Sequence, residues 1–183
     1  MSDDDLEQLK RDIRYLKDRQ EILDCIMREA RGRDRQDVAM VRSCFWDDAH
    51  DEHGPTLTTA DQYPLRQNAG HAAFFSATAH NLCNHTCELD GDIAHCETYV
   101  VGTLMSKDEQ TCILAPGRYL DRMERRNGEW RIALRRCTVE MSLQGGTEFA
   151  HSKPVVGFVR GEWNAGDLSY ARPLALESPA RRW

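Results

Sequence analysis

A change of pattern near residue 80 constrains the fold of this chain more than any other feature. Before it, apolar residues recur at three- and four-residue spacing, and after it four strand-like runs follow one another, at 81–89, 93–105, 111–124 and 130–141. Asp90-Gly91-Asp92 separates the first two runs and Asn127-Gly128 the last two, and such turns favour tight antiparallel hairpins. Helices followed by a strand meander indicate an α+β domain, in which N-terminal helices cover one face of a curved antiparallel sheet.

The helical half divides into three predicted helices. The first is expected to end at about residue 32, and its apolar face must pack against the domain: Leu6, Leu9, Ile13, Leu16, Leu23, Met27 and Ala30. Asp34 is a suitable N-cap for a short second helix. A loop over 56–64 then precedes a third helix, expected at roughly 65–79.

The length of 183 residues suits a single domain. Periodicity is lost from Gly145 onward, where glycine and proline punctuate the chain. We therefore expect a domain over 1–143 and an extended tail over 144–183. This tail should pack on its own domain or on a neighbouring subunit, because Val155, Phe158 and Trp163 need cover.

Charge and hydropathy exclude several classes of partner. The net charge of -6 opposes binding to nucleic acid by counterion release. No apolar run approaches the ~18 residues of a membrane span, and the acidic start Met-Ser-Asp-Asp-Asp is unlike a secretory signal. We expect a cytoplasmic protein whose partner is a small molecule rather than nucleic acid or a membrane. Because no glycine-rich nucleotide fingerprint is present, no cofactor is expected.

The cysteines predict reduced thiols, since seven is an odd number and nothing suggests secretion. The run from His80 to Cys87 is dense in metal-ligating residue types. Strict alternation along a strand, however, turns His80 away from Cys83, His85 and Cys87, and no second ligand pair at zinc-finger spacing follows. The acidic and histidine-rich run at 47–53 lacks the glycine-centred spacing of a calcium loop. We therefore expect no metal site.

Asp34 and His80 form the most suggestive pair for chemistry. A histidine held by a carboxylate is fixed in one tautomer and made more basic, as a general base near neutral pH requires. The two residues meet only if the helices fold back over the sheet. The structural alternatives are helix capping for Asp34 and a satisfied histidine at a strand end for His80.

Six segments, in this order, resemble the SnoaL-like branch of the nuclear transport factor 2-like superfamily. They are Arg-Gly-Arg-Asp-Arg-Gln-Asp (31–37), Phe-Trp-Asp-Asp-Ala-His-Asp-Glu-His-Gly (45–54), His-Asn-Leu-Cys-Asn-His (80–85), Asp-Gly-Asp-Ile-Ala-His (90–95), Gly-Arg-Tyr-Leu-Asp-Arg (117–122) and Gly-Glu-Trp-Arg-Ile-Ala (128–133). The resemblance covers roughly residues 5–143 and rests on the conjunction of the segments. It implies a cone-shaped, cystatin-like α+β barrel with an internal pocket.

The resemblance also implies an activity and its residues. In the eliminating members of the family an Asp-His dyad lies at the pocket floor, and its residues match Asp34 and His80. Arg135 matches an arginine near the leaving group, its alternative being an ordinary strand salt bridge. The implied function is that of a cofactor-independent lyase or isomerase, dehydratase-like, acting on a cyclic apolar small molecule. The alternatives are a polyketide cyclase-like enzyme, a noncatalytic ligand-binding or assembly module, and an accessory subunit of a ring-hydroxylating dioxygenase.

One position departs from the family pattern. Dehydratase-like members carry a tyrosine five positions before the motif aspartate, where this chain has Glu29. A glutamate donates a comparable hydrogen bond only when it stays protonated, and its alternative is a surface ion pair with Arg28 or Arg33. Glu29 is nonetheless expected at the substrate pocket, together with Trp46, His53, Phe75 and Asn84. The resemblance further implies a homodimer or homotrimer.

Overall fold

The computed structural model describes residues 1–183 as three α-helices and seven β-strands. The helices are α1 (Asp3–Asp34), α2 (Val38–Ser43) and α3 (Gln62–Phe74). The strands are β1 (Phe45–His53), β2 (Thr56–Thr59), β3 (Phe75–Asp90), β4 (Ile93–Ser106), β5 (Thr111–Arg126), β6 (Glu129–Val139) and β7 (Leu143–Gly146). None of the helices has both the length and the apolar character needed to cross a bilayer.

The strands form one curved, unclosed sheet in the order β2-β1-β6-β5-β4-β3, with β7 paired to β5. The four strands from β3 to β6 make the predicted antiparallel meander, and β1 joins β6 in parallel. Asn127 and Gly128 both have positive φ, at 54° and 82°, as a two-residue type I′ hairpin requires. The predicted α+β architecture is confirmed.

The boundaries on either side of α3 differ from the sequence prediction. The expected loop at 56–64 contains β2 and the first turn of α3. Pro64 belongs to that turn, where a backbone N–H has no helical partner and its loss costs nothing. The third helix ends at Phe74, so β3 begins six residues before the predicted strand and pairs at once with the end of β4.

The predicted apolar face of α1 is wrong for the first half of the helix. Ile13 and Leu16 are more than half exposed, and none of residues 3–17 is buried. The sheet meets the helix only from Asp18 onward, where the Asp18 carboxylate accepts hydrogen bonds from Arg125 and Trp130. Beyond that point the buried face carries apolar and charged side chains in turn: Ile22, Cys25, Ile26, Glu29, Ala30 and Arg33.

The end of α1 also differs from the prediction. The helix continues to Asp34, and Asp37 rather than Asp34 caps α2, its side chain accepting from the backbone N–H of Met40 at 2.9 Å. The capping interpretation of Asp34 is therefore wrong. Its carboxylate lies at a helix end, where it is available to the sheet.

The core lies between α1 and the sheet and includes Ile22, Ile26, Phe45, Trp130 and Ile132. The predicted tail begins within β7, contains two short 3-10 helices and contacts the rest of the same chain. Arg160 pairs with Glu109, Asp167 with Arg35, and the Tyr170 hydroxyl with Asp37. Asp167 and Tyr170 thus place part of the tail against the junction between α1 and α2, whereas Arg160 contacts the turn between β4 and β5.

Candidate active site

The structure brings Asp34 and His80 into direct contact. Asp34 Oδ1 lies 2.6 Å from His80 Nδ1, and Asp34 Oδ2 accepts from the backbone N–H of His80 at 2.7 Å. The Thr78 hydroxyl donates to Oδ1 at 3.1 Å. Thr78 and His80 are two residues apart on β3 and share the face turned toward α1. Three donors therefore hold one carboxylate at the end of the helix.

This contact determines the tautomer of His80. An ionised carboxylate only accepts hydrogen bonds, so Nδ1 of the neutral ring carries the proton. Nε2 then keeps its lone pair, and it takes part in no hydrogen bond within the chain. The His80 side chain is 7% exposed and that of Asp34 14%, so the pair is sheltered and still reachable. A fixed, sheltered imidazole of this kind can accept a proton.

Two cavities meet at His80. The larger, of about 440 Å³, lies between α1 and β3 and is lined by Leu23, Met27, Ala30, Asp34, Leu82 and His85, among others. The smaller, of about 130 Å³, lies on the inner face of the sheet and is lined by Arg33, His53, His71, Val100 and Tyr119, among others. Both cavities are lined by polar as well as apolar side chains.

Arg33 and His71 flank His80 in the smaller cavity. The His71 ring lies parallel to that of His80 with centroids 5.9 Å apart, and Arg33 Nη2 donates to His71 Nε2 at 3.2 Å. Burial, aided by the charge of Arg33, lowers the pKa of His71 to about 3, so His71 is neutral. Arg33 is fully buried, and its Nε has no partner. A fixed positive charge therefore lies beside the candidate base.

Glu29 and Arg135 belong to a buried ion cluster. Arg135 Nε and Nη2 donate to the two oxygens of Asp121 at 2.7 Å each, and Arg135 Nη1 donates to Glu29 at 2.5 Å. All three side chains are fully buried. Burial alone would raise the pKa of Glu29, but Arg135 and Arg33 hold it below its ordinary value. For Asp121 the result is the opposite: burial raises its pKa above the ordinary value, although Arg135 opposes the rise.

The contacts of this cluster test the sequence-based expectations for Glu29 and Arg135. Glu29 is not a surface residue, and its ionised carboxylate has no proton to donate in place of a tyrosine. Arg135 donates to carboxylates on both sides and lines neither cavity, so the salt-bridge alternative describes its contacts. The Tyr63 hydroxyl, which donates to Glu29 at 2.9 Å and accepts from Arg33, joins the cluster to the small cavity.

The sequence of this chain matches a known protein family over most of its length. The sequence model of a family described as a SnoaL-like domain matches residues 14–136. The chain belongs to the SnoaL-like family. No curated protein sequence matches it.

Several solved structures are similar to this SnoaL-like chain over 70–75% of its length. A candidate scytalone dehydratase from Novosphingobium aromaticivorans has 19% identity and a TM-score of 0.65, covering 70% of this chain and 88% of its own. Hexachlorocyclohexane dehydrochlorinase LinA-type3 from Novosphingobium barchaimii has 20% identity and a TM-score of 0.68, covering 73% and 94%. At these identities the similarity shows the fold alone. A candidate aromatic ring hydroxylase from Novosphingobium aromaticivorans has 25% identity and a TM-score of 0.64, covering 75% and 98%.

Of the four remaining predicted pocket residues of this SnoaL-like chain, only His53 lines one of the two cavities at His80, the smaller one. Trp46 lies under Arg126 and Arg131 and donates to the carbonyl of Glu124, away from both cavities. Phe75 packs on the edge of His71 without lining either cavity, and Asn84 is exposed. The structure therefore does not bring Trp46, Phe75 and Asn84 to His80.

The sequence prediction missed two residues beside His80, Arg33 and His71, although the sequence carries a signal for Arg33. Arg33 lies four residues after Glu29 and seven after Ile26, so helical spacing places all three on one face of α1. Charged residues recurring on an apolar face indicate buried ion pairs. His71 carries no such signal, because its place in the site depends on how α3 packs.

Proposed function

We propose that this SnoaL-like chain is a cofactor-independent lyase or isomerase in which His80 removes a proton from carbon of a cyclic, apolar small molecule. The observation that carries the proposal is the Asp34–His80 contact at the junction of the two cavities. Asp34 orients the ring and stabilises the imidazolium that forms. Two of the similar structures, a candidate scytalone dehydratase and a hexachlorocyclohexane dehydrochlorinase, support elimination as the reaction class.

The proposed step transfers one proton and one electron pair. A C–H bond of the substrate breaks as its proton bonds to His80 Nε2. The electron pair forms a carbon–carbon double bond while the bond to the neighbouring leaving group breaks, and that group departs with its own electron pair. In an isomerisation, His80 instead returns the proton to a different carbon of the delocalised anion.

Arg33, rather than the predicted Arg135, is proposed to stabilise the negative charge that develops. Arg33 lines the small cavity and donates to the neutral side chains of Tyr63 and His71, whereas the donors of Arg135 are directed at Asp121 and Glu29. A preorganised cation in a water-poor site favours an anionic transition state more strongly than the same charge in water. Neutral His71 adds no second positive charge that would oppose protonation of His80.

The test begins with thermal-shift screening of steroid, polyketide-like and halogenated cyclic compounds against the whole chain. Each compound that stabilises the protein is then incubated with it in D2O. NMR and mass spectrometry follow both product formation and exchange of substrate hydrogen for deuterium. His80→Gln should lose about 10²–10⁴-fold in rate, the usual contribution of a general base, while still binding the compound. Asp34→Asn should also lose rate, because Asn cannot stabilise the imidazolium.

The matched control is His95→Gln, since His95 is an exposed histidine of β4 and its loss should leave the rate unchanged. Wild-type turnover by His80→Gln would overturn the proposal. If compounds bind equally to wild type and to His80→Gln and neither protein produces exchange or product, the chain is a noncatalytic binding module. A cytoplasmic homodimer or homotrimer completes the proposal, and sedimentation velocity of the purified chain checks its oligomeric state.

A further inference from the structure

A bulge in β3 places His85 and Cys87 on the same face as His80. The pairing of β3 with β4 shifts register between Leu82 and His85, so the strict alternation that separated these residues in the sequence argument fails. Two successive residues, Cys83 and Asn84, are exposed at the bulge. After it, odd-numbered residues face inward, and the expectation that His85 turns away from His80 is wrong.

The bulge also brings three metal-ligating side chains together. Cys87 lies directly opposite Cys96 of β4, and His85 lies opposite Thr98. One ligand atom each from His85, Cys87 and Cys96 lies within 4.8 Å of the other two. A cation at the centre of such a triangle is within about 2.8 Å of each atom, against ~2.3 Å for a zinc–sulfur bond and ~2.0–2.1 Å for a zinc–nitrogen bond. Small side-chain rotations close that difference.

The imidazole of His85 is arranged as a ligand. Its Nδ1 lies 2.8 Å from the hydroxyl of fully buried Thr98. Its Nε2 is buried and has no hydrogen-bond partner. Metal-binding histidines usually use their second nitrogen in this way, donating it to a fixed acceptor so that the first nitrogen presents its lone pair. The unpartnered nitrogen is the observation that points to a ligand.

The charges around the cluster suit a divalent cation. Deprotonation of Cys87 and Cys96 on metal binding supplies two negative charges, which offset the charge of the ion. Asp121 lies opposite Cys96 on β5, but its carboxylate is held by Arg135. Arg19 binds the Cys87 carbonyl at 2.7 Å rather than the sulfur.

We propose that His85, Cys87 and Cys96 bind a thiophilic divalent cation of the zinc type. Three protein ligands leave the fourth position of a tetrahedral ion for water or another small ligand. His85 and Thr98 line the larger cavity, so that position has access to the cavity. The site does not depend on the proposed activity of His80.

The test uses the whole chain, reduced, freed of metal with a chelator and titrated with Co²⁺ alone. Thiolate-to-Co²⁺ charge-transfer bands should saturate at one ion per chain and disappear on addition of Zn²⁺. Cys96→Ser and His85→Gln should abolish the bands. Cys83→Ser should keep them, because Cys83 is an exposed cysteine of the same strand. Thr98→Val, which removes the support of His85, should weaken binding about 10–100-fold.

Far-UV circular dichroism of each variant separates loss of the site from loss of the fold. A folded Thr98→Val protein with weakened binding supports the site even if a cysteine variant fails to fold. Absence of charge-transfer bands in the reduced wild-type chain would overturn the proposal. So would their survival in folded Cys96→Ser, or a Cys87–Cys96 disulfide that persists under reducing conditions.

Discussion

Replacing Arg135 by Met tests whether this arginine is structural, as its contacts indicate. The change removes the cation that faces both Asp121 and Glu29 and leaves two fully buried carboxylates without it. Removing one partner of a buried ion pair costs about 3–5 kcal/mol, because the remaining charge is uncompensated. For a chain of this length that corresponds to a fall in melting temperature of about 6–20 °C. Urea unfolding followed by circular dichroism measures the difference.

The destabilisation caused by Arg135→Met should shrink as pH falls. Burial raises the pKa of both carboxyls, and Arg135 opposes that rise in both. Burial already raises the pKa of Asp121, and without Arg135 its folded-state pKa lies further above its unfolded value of about 4, whereas Glu29 keeps Arg33 as a partner. The folded variant then binds protons more readily than the unfolded chain, so its free energy of unfolding, relative to wild type, rises as pH falls from neutrality toward ~4.

Arg136→Met is the matched control, because Arg136 is the next residue on β6 and makes an exposed ion pair with Glu52. Because this pair is exposed to solvent, its loss should change stability far less than the loss of Arg135 does. If the free energy of unfolding of Arg135→Met lies within ~1 kcal/mol of the wild-type value at neutral pH, the argument from an uncompensated buried charge is refuted. If the difference in free energy of unfolding grows as pH falls, the argument that a buried carboxylate takes up a proton is refuted.

Three further perturbations test the surroundings of the site. In NMR titrations of ring carbon shifts, His71 should stay neutral through the range near ~6.5 where exposed histidines titrate, since its pKa is about 3; a midpoint in that range would contradict its burial. Gly32→Ala should lower the free energy of unfolding by about 1–3 kcal/mol, because the new Cβ lies 2.7 Å from Val41 Cγ2, whereas Gly70→Ala meets nothing. Asp37→Ala should cost about 1 kcal/mol through loss of the α2 cap; an unchanged urea midpoint in either destabilising variant would count against its contact.

Much of the fold could be predicted because the relevant signals are local. The turns at Gly91 and Asn127-Gly128 need backbone conformations that few residues adopt, and they mark where the meander reverses. The pairing of Asp34 with His80 was predicted as well, but by resemblance to a family; each residue alone is compatible with an ordinary structural role.

Helix faces were harder to predict from apolar spacing. The spacing favoured Leu9, Ile13 and Leu16 as the packed side of α1, and the structure leaves them exposed. The helix extends past the sheet over its first half, so no partner exists there. In its second half the buried face includes Glu29 and Arg33, whose burial depends on Arg135 and Tyr63, distant in sequence.

The sequence by itself determined the order of elements and the residue types available for proton transfer, because spacing, turns and capping act over a few neighbours. Only the tertiary structure decided which charges are buried together and which face of β3 each residue occupies. Arg135 faces Asp121 and Glu29 because three separate elements converge. One bulge inverts the inside and outside of β3 and so turns His85 toward Cys87 and Cys96. A single shift in register changes every later side chain on a strand, and no local pattern in the sequence records it.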